Sequence, residues 1–207
     1  MRSVRIAIFA SGNGSNAMAL IRKARELSSQ QVEISFVLSD REGAPVLEKA
    51  AREGVKTYLV PVSSTRTDQE SKVLALLREH RVDWIFLAGY MRLLSPLFLD
   101  QVRRWHRGSS QVVNIHPSLL PAYPGVNSIA RAYQDQVVES GVTLHLVDDG
   151  LDTGPQLRQE VIPVLATQQT LAQFEEKMHQ LEHKMYTGFL ADLALGSPET
   201  LPFKEDQ

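Results

Sequence analysis

Cysteine is absent from the chain, which removes disulfides, thiolate nucleophiles and Cys-based zinc sites together. An excess of one charge is absent too. The 22 Lys and Arg nearly balance the 24 Asp and Glu, giving a formal net charge of -2, so no global field favours nucleic acid or an anionic membrane. Long apolar runs are missing: no stretch approaches the about 20 residues of a membrane-spanning helix. The opening MRSVRIAIFASGNG enters a strand directly, with an apolar run too short for a signal peptide. What is present is ordinary for a globular protein with a full core: 207 residues, 43% hydrophobic and 22% charged. The expectation is one cytoplasmic domain over residues 1–207. No nucleic-acid or membrane partner is expected, and the expected state is a monomer or homodimer.

Short β-rich apolar runs alternate with longer segments of helical period. Strands are expected at 4–10, 33–39, 56–60, 83–88 and 111–115, and helices at about 15–29, 44–53 and 66–80. Ala17, Leu20, Ile21 and Ala24 form one helical stripe; Val73, Leu74 and Leu77 form another. Strand, helix, strand at this rhythm implies right-handed crossovers and an α/β fold, a doubly wound, Rossmann-like, mostly parallel sheet. After Pro124 the pattern changes. A helix near 127–138 leads to an alternating strand at 141–149, the turn 150-GLDTGP-155 and a strand at 156–164, a C-terminal antiparallel strand pair. A long terminal helix, about 168–195, precedes a polar tail.

Chemistry-bearing residues gather at the strand ends. The first strand runs into 11-SGNGSNA-17, where Gly12 and Gly14 let backbone amides turn toward a ligand, and Ser15 and Asn16 open a helix, an anion cradle. The spacing also fits G-x-G-x-x-A, with Asp40 ending the second strand where a dinucleotide's ribose would be held. A phosphate site, an NAD site and a plain tight turn all remain open. In 88-AGYMRLLSP-96, Arg92 is placed to grip a carboxylate or a heterocycle's polar edge, with Met91, Leu93 and Leu94 as an apolar wall. The same letters read as a helix start, with Ser95 as cap and Pro96 in the first turn.

The stretch 111-QVVNIHPSLLPAYPG-125 ends an apolar strand with an amide and an imidazole, then forbids a helix with Pro117, Pro121 and Pro124. Asn114 and His116 share strand parity and project to one side, an amide donor beside a switchable acid/base. Asp152, between Gly150 and Gly154, offers them a carboxylate. His145 alternates with Thr143 and Val147 and reads mainly as structural. His179 and His183 stand i, i+4 without a convincing third ligand, so no zinc is expected there. The basic segment 101-QVRRWHRGSSQ-111 reads as a solvated helix end.

Taken together, SGNGSN, AGYMRLLSP, NIHPSLLPAYPG and GVTLHLVDDGLDTGP resemble the folate-dependent formyltransferase family over about residues 4–190, in order. NIHPSLLP followed by LDTGP carries the formyl-transfer resemblance, and SGNGSN points to the purine-biosynthetic branch. The resemblance implies transfer of a formyl group from the cosubstrate 10-formyltetrahydrofolate to the amine of glycinamide ribonucleotide, with no metal. It implies Asn114, His116 and Asp152 as a catalytic trio that stabilises the tetrahedral intermediate and moves protons. Gly12, Asn13, Gly14 and Ser15 would hold the phosphate, with Arg66 as a further phosphate-side arginine and Glu182 on the ribose. Met91, Arg92, Leu93 and Leu94 would line the pterin slot, with Val147, Asp148, Asp149, Gly150 and Leu151 as its other wall.

The domain then divides into a nucleotide/phosphate-binding half (1–100), a catalytic and folate-binding half (101–195) and a tail (196–207). Asn127 and Ser140 stand where members often carry His, and Thr187 where Pro is common. Competing readings fit less well. A deformylating hydrolase is expected to carry an extra N-terminal regulatory domain, and a methionyl-tRNA formyltransferase a C-terminal nucleic-acid-binding domain. An NAD-dependent oxidoreductase leaves NIHPSLLP and LDTGP unexplained.

Overall fold

Residues Val4–Phe9 form strand β1, in which Ile6 and Ile8 enter one apolar cluster while Ala7 and Phe9 enter another, all fully buried. A strand buried on both faces needs cover on both sides of its sheet. The structure, a computed structural model, describes residues 3–27, 31–62, 65–106, 108, 111–165 and 167–196 and supplies that cover. The elements after β1 are α1 (Ser15–Glu26), β2 (Val32–Ser39), α2 (Pro45–Arg52), β3 (Thr57–Leu59), α3 (Arg66–Glu79), β4 (Trp84–Leu87) and α4 (Pro96–Trp105). Then come β5 (Val112–His116), α5 (Ser128–Gln134), β6 (Glu139–Leu146), β7 (Gln156–Pro163) and α6 (Leu171–Leu195). Residues from α1, α2, α5 and α6 share the first cluster; α3 and α4 contribute to the second.

The sheet runs β3-β2-β1-β4-β5-β6-β7. Strands β1 to β5 are parallel, and β6 is antiparallel to both β5 and β7. The doubly wound architecture and the antiparallel strand pair are as the sequence implies. Because β1 lies between β2 and β4, the chain leaves the carboxyl ends of β1 and β4 toward opposite sides, and a crevice opens there. The β1 turn and the 88–95 loop border it.

Element ends moved by a few residues, for local reasons. The first helix stops at Glu26, before Leu27 in extended conformation; expected positions 28–29 lie outside the described residues, as does the tail beyond Gly196. The last helix starts at Leu171 because Thr170 and Gln173 form a reciprocal capping box. The strand expected to 149 ends at Leu146. There Asp148 Oδ1 accepts from Gly150 N and from the Thr153 hydroxyl, closing an Asx-type turn. Ser95 caps α4 by accepting from Phe98 N, so the helix start read at Ser95-Pro96 is real.

Fully buried Tyr186 of α6 ties the two central strands together. Its hydroxyl donates to Leu87 O at 2.6 Å and lies 3.3 Å from Val113 O, just before both strands reach the crevice. Burial pushes this phenol well above its usual value, so it stays a donor. Tyr186→Phe removes both hydrogen bonds from a fully buried position and is expected to lower stability by about 0.5–1.5 kcal/mol, read from urea unfolding midpoints.

Candidate active site

The β1 turn is built so that a side chain is forbidden at its tightest point. Gly14 has φ 75°, and a Cβ added there would lie 2.2 Å from Val46 Cγ2. The first turn of α1 has no side-chain cap and no acidic residue, so its amides remain open to an anion. Lys49 braces the turn from α2, donating to Asn13 O at 3.1 Å and to the Asn13 side-chain oxygen. Asp40, the acid the dinucleotide reading would use, is buried and accepts from Ser11 Oγ at 2.5 Å. Ser11 Oγ in turn accepts from Met91 N at 2.9 Å. Asp40 therefore fastens the β1 turn to the 88–95 loop, and the G-x-G-x-x-A reading loses its ribose acid.

The catalytic-type side chains come from the β5–β6 pairing. Its antiparallel register sets Asn114 directly opposite His145, and His116 opposite Thr143. His145 Nδ1 lies 2.9 Å from Leu146 O, which only accepts, so Nδ1 carries the proton and Nε2 offers a lone pair. Asn114 Nδ2 donates to that Nε2 at 3.1 Å, which fixes the amide's orientation. Burial holds His145 below its usual value, outweighing the Leu146 carbonyl and the Asp152 charge, and keeps the ring neutral for this task.

His116 is buried, with Nε2 2.9 Å from Tyr123 O and Nδ1 3.4 Å from Asp152 Oδ2. Both ring nitrogens thus face oxygen acceptors. Asp152 has φ 57°, and its Oδ2 accepts from Gly125 N at 2.8 Å. Its Oδ1 lies 3.7 Å from His145 Nε2. Gly154 lets the chain return: a Cβ there would meet Leu146 O at 1.9 Å. The proline loop is held by more than its prolines. The Thr143 hydroxyl donates to Ser118 O at 2.7 Å and accepts from Leu120 N at 3.1 Å.

A cavity of about 780 Å³ joins these parts. Its lining includes the β1 turn, Met91 to Leu94, Asn114, His116, Val147 to Asp152 and Glu182. Met91 and Leu93 are 59% and 61% exposed, unusual for residues of a core and apt for an apolar wall. Arg92 makes no hydrogen bond or ion pair with the described residues. Glu182 is buried and accepts from His179 Nδ1 at 2.8 Å, a hydrogen bond that raises the imidazole above its usual value. Arg66 alone of the expected residues stands outside this lining: it pairs with Glu70 at 3.1 Å and donates to Leu93 O, clasping the 88–95 loop.

Three features were not singled out from the sequence as parts of the site. Tyr123 and Gly125 contribute backbone groups, which leave no side-chain signature. His145 reads mainly as a structural strand residue from the sequence, with the family resemblance leaving a supporting part in the site open. Of the departures noted, Asn127 adopts φ 57° before α5, Thr187 donates to His183 O at 2.7 Å, and the buried Ser140 Oγ has no hydrogen-bond partner among the described residues.

The profile of the family described as Formyl transferase matches residues 4–190. Phosphoribosylglycinamide formyltransferase of Bacillus subtilis is 35% identical over 191 residues, covering 91% of this chain and 94% of that protein. The trifunctional purine biosynthetic protein adenosine-3 of Homo sapiens is 34% identical over 198 residues, of which this chain spans only 19% of the length. The crystal structure of glycinamide ribonucleotide transformylase 1 from Geobacillus kaustophilus superposes with a TM-score of 0.85 at 39% identity, covering 93% of this chain and 100% of that one.

The neutral His145 carries a pH signature. Its native value lies below the ordinary 6.5, so its stabilising contribution is complete above that value and is lost as pH falls through the lowered one. His145→Gln is therefore expected to lose less melting temperature than the parent between about pH 7.5 and 5.5. Parallel slopes in calorimetric melts of the two proteins would contradict this assignment.

Proposed function

This chain belongs to the formyl transferase family, and from that premise we propose that it transfers a formyl group from 10-formyltetrahydrofolate to the amine of glycinamide ribonucleotide in purine biosynthesis. The observation that carries the proposal is the convergence of Asn114, His116 and Asp152 on the cavity that also contains the glycine turn. The cavity's size is within the about 300–1,000 Å³ usual for small-ligand sites. Its two ends differ in chemistry as the two substrates do. Open amides and Ser15 suit a phosphate, while Met91, Leu93, Leu94 and Arg92, unpaired among the described residues, suit a flat ring with a polar edge. Glu182, held by His179, is the hydrogen-bond acceptor for ribose hydroxyls.

The donor supplies a formyl group on nitrogen. The acceptor amine forms a bond to the formyl carbon, its carbonyl oxygen gains charge, and the bond to the donor nitrogen breaks. Asn114 uses one amide hydrogen on His145 and keeps the other for the developing oxyanion. His116, with both nitrogens engaged, contributes the positive charge of its doubly protonated ring rather than a third hydrogen bond. Asp152 accepts a proton from the attacking amine and passes it through water toward the leaving nitrogen. In this reading the chain works as one domain, residues 1–100 holding the phosphate end and 101–195 the reacting centre.

Removing one oxyanion donor costs about 2.7–4 kcal/mol of barrier stabilisation in comparable sites. Asn114→Ala, His116→Ala and Asp152→Ala are each expected to lower turnover at least about a hundredfold with the fold retained. The assay follows loss of 10-formyltetrahydrofolate optically, with and without glycinamide ribonucleotide. Turnover independent of the ribonucleotide would identify a hydrolase instead, and near-normal activity of His116→Ala would break the mechanism.

A further inference from the structure

Behind the glycine turn, away from the reacting trio, α1, α2 and α6 enclose a second cavity of about 430 Å³. It shares Asn13, Ser15 and His183 with the larger one, so the two are contiguous at the turn. Its chemistry is different. Arg22 of α1 and Lys49 and Arg52 of α2 line it, with Met18 as its one large apolar side chain. Its single carboxylate among the described residues, Glu53, is already held by Arg25, which donates to the Glu53 side chain and to Glu53 O.

The two arginines are not absorbed by the fold. Arg22 makes no hydrogen bond or ion pair with the described residues. Among the described residues Arg52 pairs only with Glu48 one turn back, and both side chains are about 70% exposed (74% and 69%), so water and salt compete easily for that contact. Lys49 sits on the turn itself. His183 Nε2, at the junction, is enclosed without a hydrogen-bond partner among the described residues. Two guanidinium forks at a cavity mouth match phosphoryl oxygens better than they match any neighbour present.

We propose that this cavity is a second anion subsite that receives the distal phosphoryl groups of a polyphosphate chain whose first phosphate occupies the glycine turn. The ligand class is a nucleoside triphosphate or inorganic polyphosphate. Because the turn is shared, such a ligand excludes the phosphorylated acceptor and competes with it. The turn's part in this rests on the function proposed above; the role of Arg22 and Arg52 does not. Three groups carry the recognition. Lys49 bridges the two subsites, Arg22 faces the distal groups from α1, and Arg52 does so after releasing Glu48.

Isothermal titration calorimetry of the full chain, without divalent cations, tests this with orthophosphate, inorganic tripolyphosphate and ATP. Tripolyphosphate is expected to bind at least about tenfold more tightly than orthophosphate. The Arg22→Ala/Arg52→Ala double variant, altered only on exposed helix faces, is expected to lose most of that advantage while orthophosphate affinity changes less than about twofold. The charge-retaining Arg22→Lys/Arg52→Lys variant separates contact from field, since lysine lacks the planar fork; it should bind tripolyphosphate several-fold more weakly than the parent. Equal affinity for the two inorganic ligands, or tripolyphosphate binding indifferent to both variants, would overturn the subsite.

The ATP arm distinguishes the sources. ATP binding with the same arginine dependence identifies the nucleotide, and tripolyphosphate binding without ATP binding identifies the inorganic chain. Failure of the glycine turn as a phosphate site has a separate signature. Glycinamide ribonucleotide would then fail to displace either ligand, whatever the arginine variants do.

Discussion

Three parts of the chain between His116 and Asp152 meet at the Asp152 carboxylate. One oxygen takes the Gly125 amide of the proline loop and faces His116 on β5; the other approaches His145 on β6. A side chain only 9% exposed with these neighbours cannot be moved alone. Antiparallel pairing sets His145 of β6 beside Asn114 of β5, and the 147–155 segment that follows brings Asp152 back to His116 and His145.

The sequence carried the outline of this arrangement unusually far. Strict alternation placed Asn114 and His116 on one side, and the glycine spacing marked the β1 turn, because both signals are local and periodic. The early strands were readable for the same reason: β-branched runs buried on both faces leave few other interpretations. Element ends were less legible, since they depend on particular bonds such as the Asp148 turn and the Thr170–Gln173 box.

What escaped the sequence is what depends on partners brought from a distance. His145 looked like a strand histidine until the register set it against Asn114. Arg66 looked like a ligand-binding cation, yet its guanidinium is engaged by Glu70 and Leu93 O. Asp40 fitted a dinucleotide pattern by position, but Ser11 already occupies its carboxylate. In each case the residue type was informative and the partner was not predictable from spacing. Backbone contributors such as Tyr123 O and Gly125 N are invisible in principle, since any residue carries the same groups.

The loop between β4 and α4 is fastened at both ends, by Ser11 at Met91 and by Arg66 and Glu70 at Leu93 and Ser95. A slot wall on a free loop would have to surrender its conformational freedom each time a ligand arrived, and that entropy would be subtracted from affinity. Here most of it is surrendered once, during folding. The exposed Met91 and Leu93 can then stand ready in water, and the flat surface they offer is set before any ligand arrives.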